Sequence, residues 1–371
     1  MLRPMTTSEP GFRDVPRTAL VTGSSGFVGQ RLVEMLVERG AQRVVAFDIS
    51  APPEPFRQPQ VETVRGDITD AEAVKKAAEG VECIFHIAAL VGPYHEEHKY
   101  EAVNYGGSVN VIEACRAHGI RKLVMSSSPS TRFPFPDPNV RGQNEEQLEA
   151  INGGRYSPQF HATYARTKAM GEQAVLEACS DDLMTVAVAP HQVYGPRDPL
   201  FLPSILEAAR GGKLRVFGDG KNKISFTHVD NYCHGLILGA EALRPGSPAL
   251  GKFYVVTDKE PQLLWDALEQ AVTGVGLPSV KAKRPLPPWL MMGAAKATMG
   301  LGQVMARATS TPYPHVMRKL KLTTFAVKML LIDRWFDISR AERDLEYVPL
   351  LSFEDGWAQT IAYFRAREAA A

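Results

Sequence analysis

Tyr164 and Lys168 stand four residues apart in His161-Ala162-Thr163-Tyr164-Ala165-Arg166-Thr167-Lys168. On a helix this spacing puts both side chains on one face, with the ammonium close to the phenol. A phenol titrates at about pH 10 in water, so it acts as a general base near neutrality only if a neighbouring charge stabilises the phenolate. Lys168 is placed to supply that charge. Such a pair also occurs on ordinary solvated helices, so its meaning depends on what lies upstream.

Upstream, Thr22-Gly23-Ser24-Ser25-Gly26-Phe27-Val28-Gly29 follows the apolar run Thr18-Ala19-Leu20-Val21 and precedes the periodic segment Arg31-Leu32-Val33-Glu34-Met35-Leu36-Val37. Strand, glycine turn and helix in that order let backbone N–H groups approach a pyrophosphate at the helix N-terminus. Gly23, Gly26 and Gly29, with Ser25, Phe27 and Val28 between them, form the expected phosphate loop. A second strand, Arg43-Val44-Val45-Ala46-Phe47, ends at Asp48, and an acid about 20 residues beyond the last glycine suits the ribose hydroxyls of an adenosine. Asp48 repels a 2′-phosphate, and Ile49-Ser50-Ala51-Pro52-Pro53 bring no Arg or Lys to neutralise one. NAD is therefore expected rather than NADP.

The elements that must position these groups alternate strand with helix, the pattern of an α/β doubly wound parallel sheet of Rossmann type. Val61-Glu62-Thr63-Val64 leads to Asp67 and Ile68, and Cys83-Ile84-Phe85-His86-Ile87 ends in the small residues Ala88 and Ala89. Small residues at a strand's carboxyl end leave room for a ligand. A helix over about residues 100–118 carries Asn104, and Lys122-Leu123-Val124-Met125 ends at Ser126-Ser127-Ser128. A serine cluster there is an ordinary turn in most folds; before a Tyr-Lys helix in a nucleotide fold its hydroxyls face the ligand edge.

These residues resemble the short-chain dehydrogenase/reductases of the extended type. The matching positions are the Gly23, Gly26, Gly29 loop, Asp48, Gly66-Asp67-Ile68, Ala88-Ala89, Asn104, Ser128 and the Tyr164/Lys168 pair. Past the cofactor part, Pro190-His191-Gln192-Val193-Tyr194-Gly195-Pro196-Arg197-Asp198-Pro199 and Phe226-Thr227-His228-Val229-Asp230-Asn231 look like the 3β-hydroxysteroid dehydrogenase branch. Within that branch the similarity is greatest to sterol-4α-carboxylate 3-dehydrogenases (decarboxylating). The resemblance implies Ser128, Tyr164 and Lys168 as catalytic residues, with Tyr164 taking the proton of a 3β-hydroxyl, Ser128 holding the same oxygen and Lys168 lowering the tyrosine pKa and binding the nicotinamide ribose. It also implies that Ser126, Pro190, His191 and Val193 border the cofactor. A carboxylate beside the alcohol would become a β-keto acid on oxidation and lose CO₂. Arg132, His161, His191 and Arg197 are the local candidates to meet that carboxylate. Two features depart from the family: Ala189 stands where arginine is common, and the proline-rich Pro129–Pro138 segment matches the better-known steroid enzymes loosely.

At 371 residues and 44% hydrophobic content the chain can bury a large core and suggests about two domains. The expected division is a loose tail over 1–17, an NAD-binding part over 18–190 with 225–256 returning to it, and a smaller, discontinuous substrate-binding part over 191–224 and 257–371. A formal charge of +1 gives no reason to expect nucleic acid. Cys83, Cys115, Cys179 and Cys233 lack metal-ligand or redox-pair spacing, so reduced thiols and no metal site are expected. The first residues carry no apolar core segment, which argues against secretion. Residues 286–305 are apolar around Lys296, which disfavours a membrane span and leaves a membrane-surface or substrate-lid helix, or ordinary core. The chain is thus expected on the cytoplasmic side, at the endoplasmic reticulum or another membrane surface, with a steroid or sterol substrate and room for a homodimer. A different 3β-hydroxysteroid dehydrogenase/isomerase and a sugar-nucleotide epimerase or dehydratase remain alternatives; Lys213, Arg215, Lys221 and Lys223 could clamp a diphosphate, whereas Phe201, Phe217 and Trp289 favour an apolar ligand. A non-catalytic NAD-sensing scaffold would have no need of the Ser-Tyr-Lys set.

Overall fold

The computed structural model describes residues 15–370, apart from Pro93 and His161; most of the expected tail lies outside it. Among the described residues thirteen strands follow the chain: β1 Thr18–Thr22, β2 Arg43–Asp48, β3 Val61–Arg65, β4 Cys83–His86, β5 Lys122–Ser126, β6 Val140–Gln143, β7 Met184–Pro190, β8 Val193–Tyr194, β9 Lys223–Ile224, β10 Thr227–His228, β11 Lys252–Val256, β12 Gln262–Leu263 and β13 Arg334–Phe336. Seven of them form one parallel sheet in the order β11-β7-β5-β4-β1-β2-β3. Leu20, Val21, Val44, Val45, Ile84, Phe85, Leu123 and Val124 are fully buried, because helices cover both faces and each central strand must be apolar on both sides. Strand order reverses between β1 and β4, and the crevice at their carboxyl ends is where such sheets bind ligands.

The expected doubly wound α/β sheet is thus present, and helix Val229–Ala242 and β11 return to it. The division between the two parts is less clean than residue ranges suggest. β6 leaves the first 190 residues to join β9, β12 and β13 in a separate four-stranded sheet. Conversely, Phe336, Ile338, Ala341, Leu345 and Tyr347 pack into the core of the large sheet. A second core gathers around Tyr194, Phe226, Trp265, Phe353 and Trp357. The expected helix over 100–118 runs from Glu97 to His118 and contains a π-helical stretch, Glu101–Gly106. Helix Thr163–Glu177 packs against that stretch at Gly171, where a Cβ would lie 2.2 Å from the Asn104 carbonyl oxygen.

Candidate active site

β5 delivers three successive serines to the carboxyl edge, and each has a different partner. The Ser126 carbonyl accepts from Lys168 Nζ at 2.6 Å, and its hydroxyl accepts from Tyr232 Oη at 2.7 Å. Ser127 Oγ donates to Glu172 at 2.5 Å. Ser128 Oγ lies 2.9 Å from Ser130 Oγ, and Ser128 acts to lower the pKa of the Tyr164 phenol. Tyr164 sits in the first turn of the Thr163–Glu177 helix, Lys168 one turn later and Glu172 one turn beyond that, so the four-residue spacing does put all three on one face.

Burial dominates the electrostatics. It pushes the Tyr164 phenol up to about 12, with Ser128 pulling the other way and Tyr100 adding to the rise. It also lowers Lys168 to about 8, opposed by the nearby Glu172 carboxylate. The partner that lowers Tyr164 here is Ser128; Lys168 is turned to the Ser126 carbonyl.

The glycine loop is packed tightly enough to exclude side chains. Gly23 adopts φ 72°, and a Cβ on it would lie 2.7 Å from the Ala88 backbone. A Cβ on Gly29 would lie 2.0 Å from the Gly23 carbonyl oxygen. Gly26 caps helix Phe27–Glu38 with no side-chain hydrogen bond, so the first-turn N–H groups around Phe27 and Val28 stay available to phosphate oxygens. Asp48 Oδ2 accepts from Ser25 N at 3.0 Å, tying the end of β2 to the loop. Asp67 follows next to it, since Gly66 N bonds the Asp48 carbonyl at 2.9 Å and Ile68 is buried behind. Pyrophosphate loop and adenosine-side acid are thus adjacent, and the cradle fits a dinucleotide.

Asn104 has its partners inside the fold. It is buried, accepts from Leu90 N at 2.8 Å, and donates to Leu90 O at 3.2 Å and Thr167 Oγ1 at 3.1 Å. It clasps the turn after Ala88 and Ala89 to the catalytic helix. Behind it runs a buried network that the sequence alone does not reveal: Thr22 Oγ1 to His86 Nδ1 at 2.9 Å, His86 Nε2 to Ser108 Oγ at 3.1 Å, and Ser108 Oγ to the Asn104 carbonyl at 2.8 Å. Burial, helped by the Lys168 charge, lowers His86 to about 3, so it is a neutral strut.

The four candidates for a substrate carboxylate fare differently. Arg132 is fully buried and donates to Glu172 at 2.6 and 3.1 Å; its charge is already used inside the fold. Arg197 forms a two-pronged pair with Glu34, both bonds at 2.8 Å. These two expectations are corrected for the same reason, that an acid elsewhere in the chain already satisfies each guanidinium. His161 lies outside the described residues. His191 stands just past Pro190 at the end of β7, one residue from Gln192 and two from Val193, buried between Phe133 and Phe336. Burial and the Arg334 charge hold it well below the usual histidine range, hence neutral. Arg334 lies 3.3 Å from His191 Nε2; no motif in the sequence singles it out.

Comparison with known proteins agrees with this geometry. The model of the 3-beta hydroxysteroid dehydrogenase/isomerase family matches residues 20–285. A 2-alkyl-3-oxoalkanoate reductase of Stenotrophomonas maltophilia is 37% identical, over 91% of this chain and 96% of its own. The human sterol-4-alpha-carboxylate 3-dehydrogenase, decarboxylating, is 33% identical over 93% of this chain and 87% of its own. Among solved structures, a dTDP-glucose 4,6-dehydratase from Streptomyces venezuelae with NAD bound shares the fold at TM-score 0.69 and 20% identity, covering 95% of this chain and 98% of that one. The fold is shared with NAD-bound enzymes, the matched relatives are oxidoreductases, and the chain belongs to the 3-beta hydroxysteroid dehydrogenase/isomerase family.

Proposed function

We propose that the enzyme interconverts a hydroxyl and a ketone on an apolar substrate that carries a carboxylate on the adjacent carbon, with a sterol-4α-carboxylate as substrate and loss of CO₂ from the resulting β-keto acid. The observation that carries this reading is the placement of Tyr164 and Lys168 one turn apart on helix Thr163–Glu177, with Ser128 just past the end of β5 acting to lower the phenol. NAD, when bound, supplies the hydride acceptor. Tyr164 Oη takes the proton of the substrate hydroxyl, and Ser128 Oγ hydrogen-bonds the same oxygen and fixes its direction. Lys168 adds positive charge beside the phenol when it leaves the Ser126 carbonyl. Once the ketone has formed, the C–C bond to the carboxylate breaks and its electron pair moves to the ketone oxygen. Tyr164 and Ser128 stabilise that developing charge by hydrogen bonding.

A second reading has its own support. The relative at 37% identity is named for reduction of a 2-alkyl-3-oxoalkanoate, which presents the same arrangement of oxygen and carboxylate on an acyclic chain. A phenol pushed up to about 12 stays protonated in the free enzyme, as an acid catalyst of reduction requires. The deciding experiment follows NADH absorbance with 3β-hydroxysteroids with and without a 4-carboxyl group, and with 2-alkyl-3-oxoalkanoates in the reducing direction. Turnover of the sterol acid supports the first reading; turnover of only the acyclic keto acid supports the second. Turnover of neither class overturns both.

The substrate's apolar character fits helix Pro288–Thr309, which leaves Trp289 73%, Leu301 54% and Val304 63% exposed. Among the described residues no helix is long and apolar enough to cross a membrane. We read this helix as lying on a membrane surface, where an apolar substrate partitions.

A further inference from the structure

We infer that Arg334 is the receptor for the substrate's carboxylate, reaching it beside His191. This rests on the functional reading above and names the residue that reading still requires, since Arg132 and Arg197 are committed elsewhere.

Arg334 opens β13 and is only 7% exposed. Its Nη2 donates to the Met329 carbonyl at 2.8 Å and its Nη1 lies 3.3 Å from His191 Nε2, while Nε is buried without a hydrogen-bond partner. Three other buried arginines face acids: Arg31 meets Asp230 and Glu38, Arg132 meets Glu172, and Arg340 approaches Glu146 at 3.6 Å; a fourth, Arg39, lies 3.1 Å from His234 Nδ1. Among the described residues none makes an ion pair with Arg334. Burial alone acts on it and lowers it to about 10, so it remains a cation near neutrality. A buried, uncompensated charge is costly to the fold. Such a cost is explained if an anion arrives from outside and completes the pair.

The position suits a substrate anion. Val188, near the end of β7, accepts from Ser127 N at 2.9 Å, so His191 emerges beside the serine loop. The His191 ring lies 6.3 Å from the ring of Phe133, which closes that loop, and 5.1 Å from that of Phe336, two residues beyond Arg334. A line of contacts therefore runs from the unpaired guanidinium through His191 to the loop carrying Ser128. Because a guanidinium can only donate, His191 Nε2 must accept, and its proton stays on Nδ1 as a second donor. The glycine loop that cradles the dinucleotide lies at the end of β1, leaving the substrate's own carboxylate as the anion for Arg334.

The test uses Arg334→Met and Arg334→Lys in the full chain. Against a substrate with the adjacent carboxyl, Arg334→Met should lose on the order of 10- to 100-fold in kcat/KM, the equivalent of a lost charge-assisted bond. The same substrate without the carboxyl should be turned over as by the wild type. NAD affinity should not change, and Tm without ligand should be equal or higher, since a buried unpaired charge has gone. Arg334→Lys should recover part of the loss. Equal losses on both substrates would overturn the inference. If Arg334→Met does not fold, Arg334→Lys decides alone: an acid-specific loss supports the assignment and a uniform one overturns it. Should the wild type turn over neither substrate, the functional reading fails by itself, and binding still tests Arg334. With NADH present, decanoate should raise the Tm of the wild type more than decanol does, and that advantage should shrink in Arg334→Lys. No advantage in the wild type, or an undiminished one in the variant, would sink the assignment.

Discussion

The Arg132 guanidinium lies 3.4 Å above the centre of the Phe253 ring and donates both terminal nitrogens to Glu172, whose carboxylate also receives the Ser127 hydroxyl. A residue of β11, the serine loop and the catalytic helix are thereby joined at one buried point, one residue before Ser128 and one turn after Lys168.

Removing one partner of that pair strands a charge in the core. Arg132→Ala should cost about 3–5 kcal/mol in urea denaturation, and its kcat should fall equally for carboxylated and carboxyl-free substrates. The double variant Arg132→Met/Glu172→Met should recover much of the stability. A double variant as unstable as the sum of the singles would argue against the pair as the cause.

Tyr164→Phe deletes the proton acceptor and keeps the ring. We expect a loss in kcat of about 10²-fold or more, with NAD binding and Tm nearly unchanged. Near-normal turnover with the best alcohol would exclude Tyr164 as the base.

We expect Asp48, at the end of β2 opposite Arg65 in the β2–β3 register, to set the cofactor preference. Arg65 Nε bonds the Ile49 carbonyl at 3.1 Å, and the Ile49 side chain is exposed. Asp48→Ser with Ile49→Arg should therefore move preference from NAD toward NADP, and Asp48→Ser alone should begin the shift because Arg65 already stands near. A wild type that prefers NADP in the ratio of kcat/KM values would refute the role given to Asp48.

Lys168 makes stability depend on pH with a definite sign. Its folded pKa of about 8 lies below the usual lysine value of 10.5, so between those values the unfolded chain holds the proton and the folded one has released it. Its contribution therefore destabilises the fold most below about pH 8, and stability recovers as pH rises through the window up to 10.5. Lys168→Met should be more stable than wild type at neutral pH by on the order of 2 kcal/mol, and the gap should narrow as pH rises through that window. Urea midpoints at a series of pH values measure it; a gap that is constant with pH would contradict the burial cost assigned to Lys168.

The solvent-facing side of helix Pro288–Thr309 predicts vesicle binding. Trp289→Glu with Val304→Glu should weaken co-sedimentation with phosphatidylcholine vesicles at least several-fold, because apolar area inserted at the interface sets that affinity. Turnover of a water-soluble substrate should be unaffected. Wild-type protein that stays in the supernatant would remove the membrane role.

The amino-acid sequence by itself determined the parts whose geometry is local. Gly23, Gly26 and Gly29 followed by a helix, Asp48 at the end of the next strand, the serines after β5 and the Tyr164/Lys168 spacing all follow from how a strand ends or a helix turns. Those rules hold wherever the segment sits in the fold. Side-chain pairing across the molecule does not follow from them. Arg132 meets Glu172 across 40 residues, Arg334 meets His191 across 143 and Arg197 meets Glu34 across 163. From the sequence Arg132 and Arg197 were candidates to meet a carboxylate and Arg334 was not singled out; only tertiary packing satisfied the first two and buried the third without an acid. The same holds for Asn104, whose amide is spent on Leu90 and Thr167, and for β6 and residues 334–347, which cross between the two cores. The charge left available to a ligand is what remains after long-range pairing, and that remainder is set by the fold.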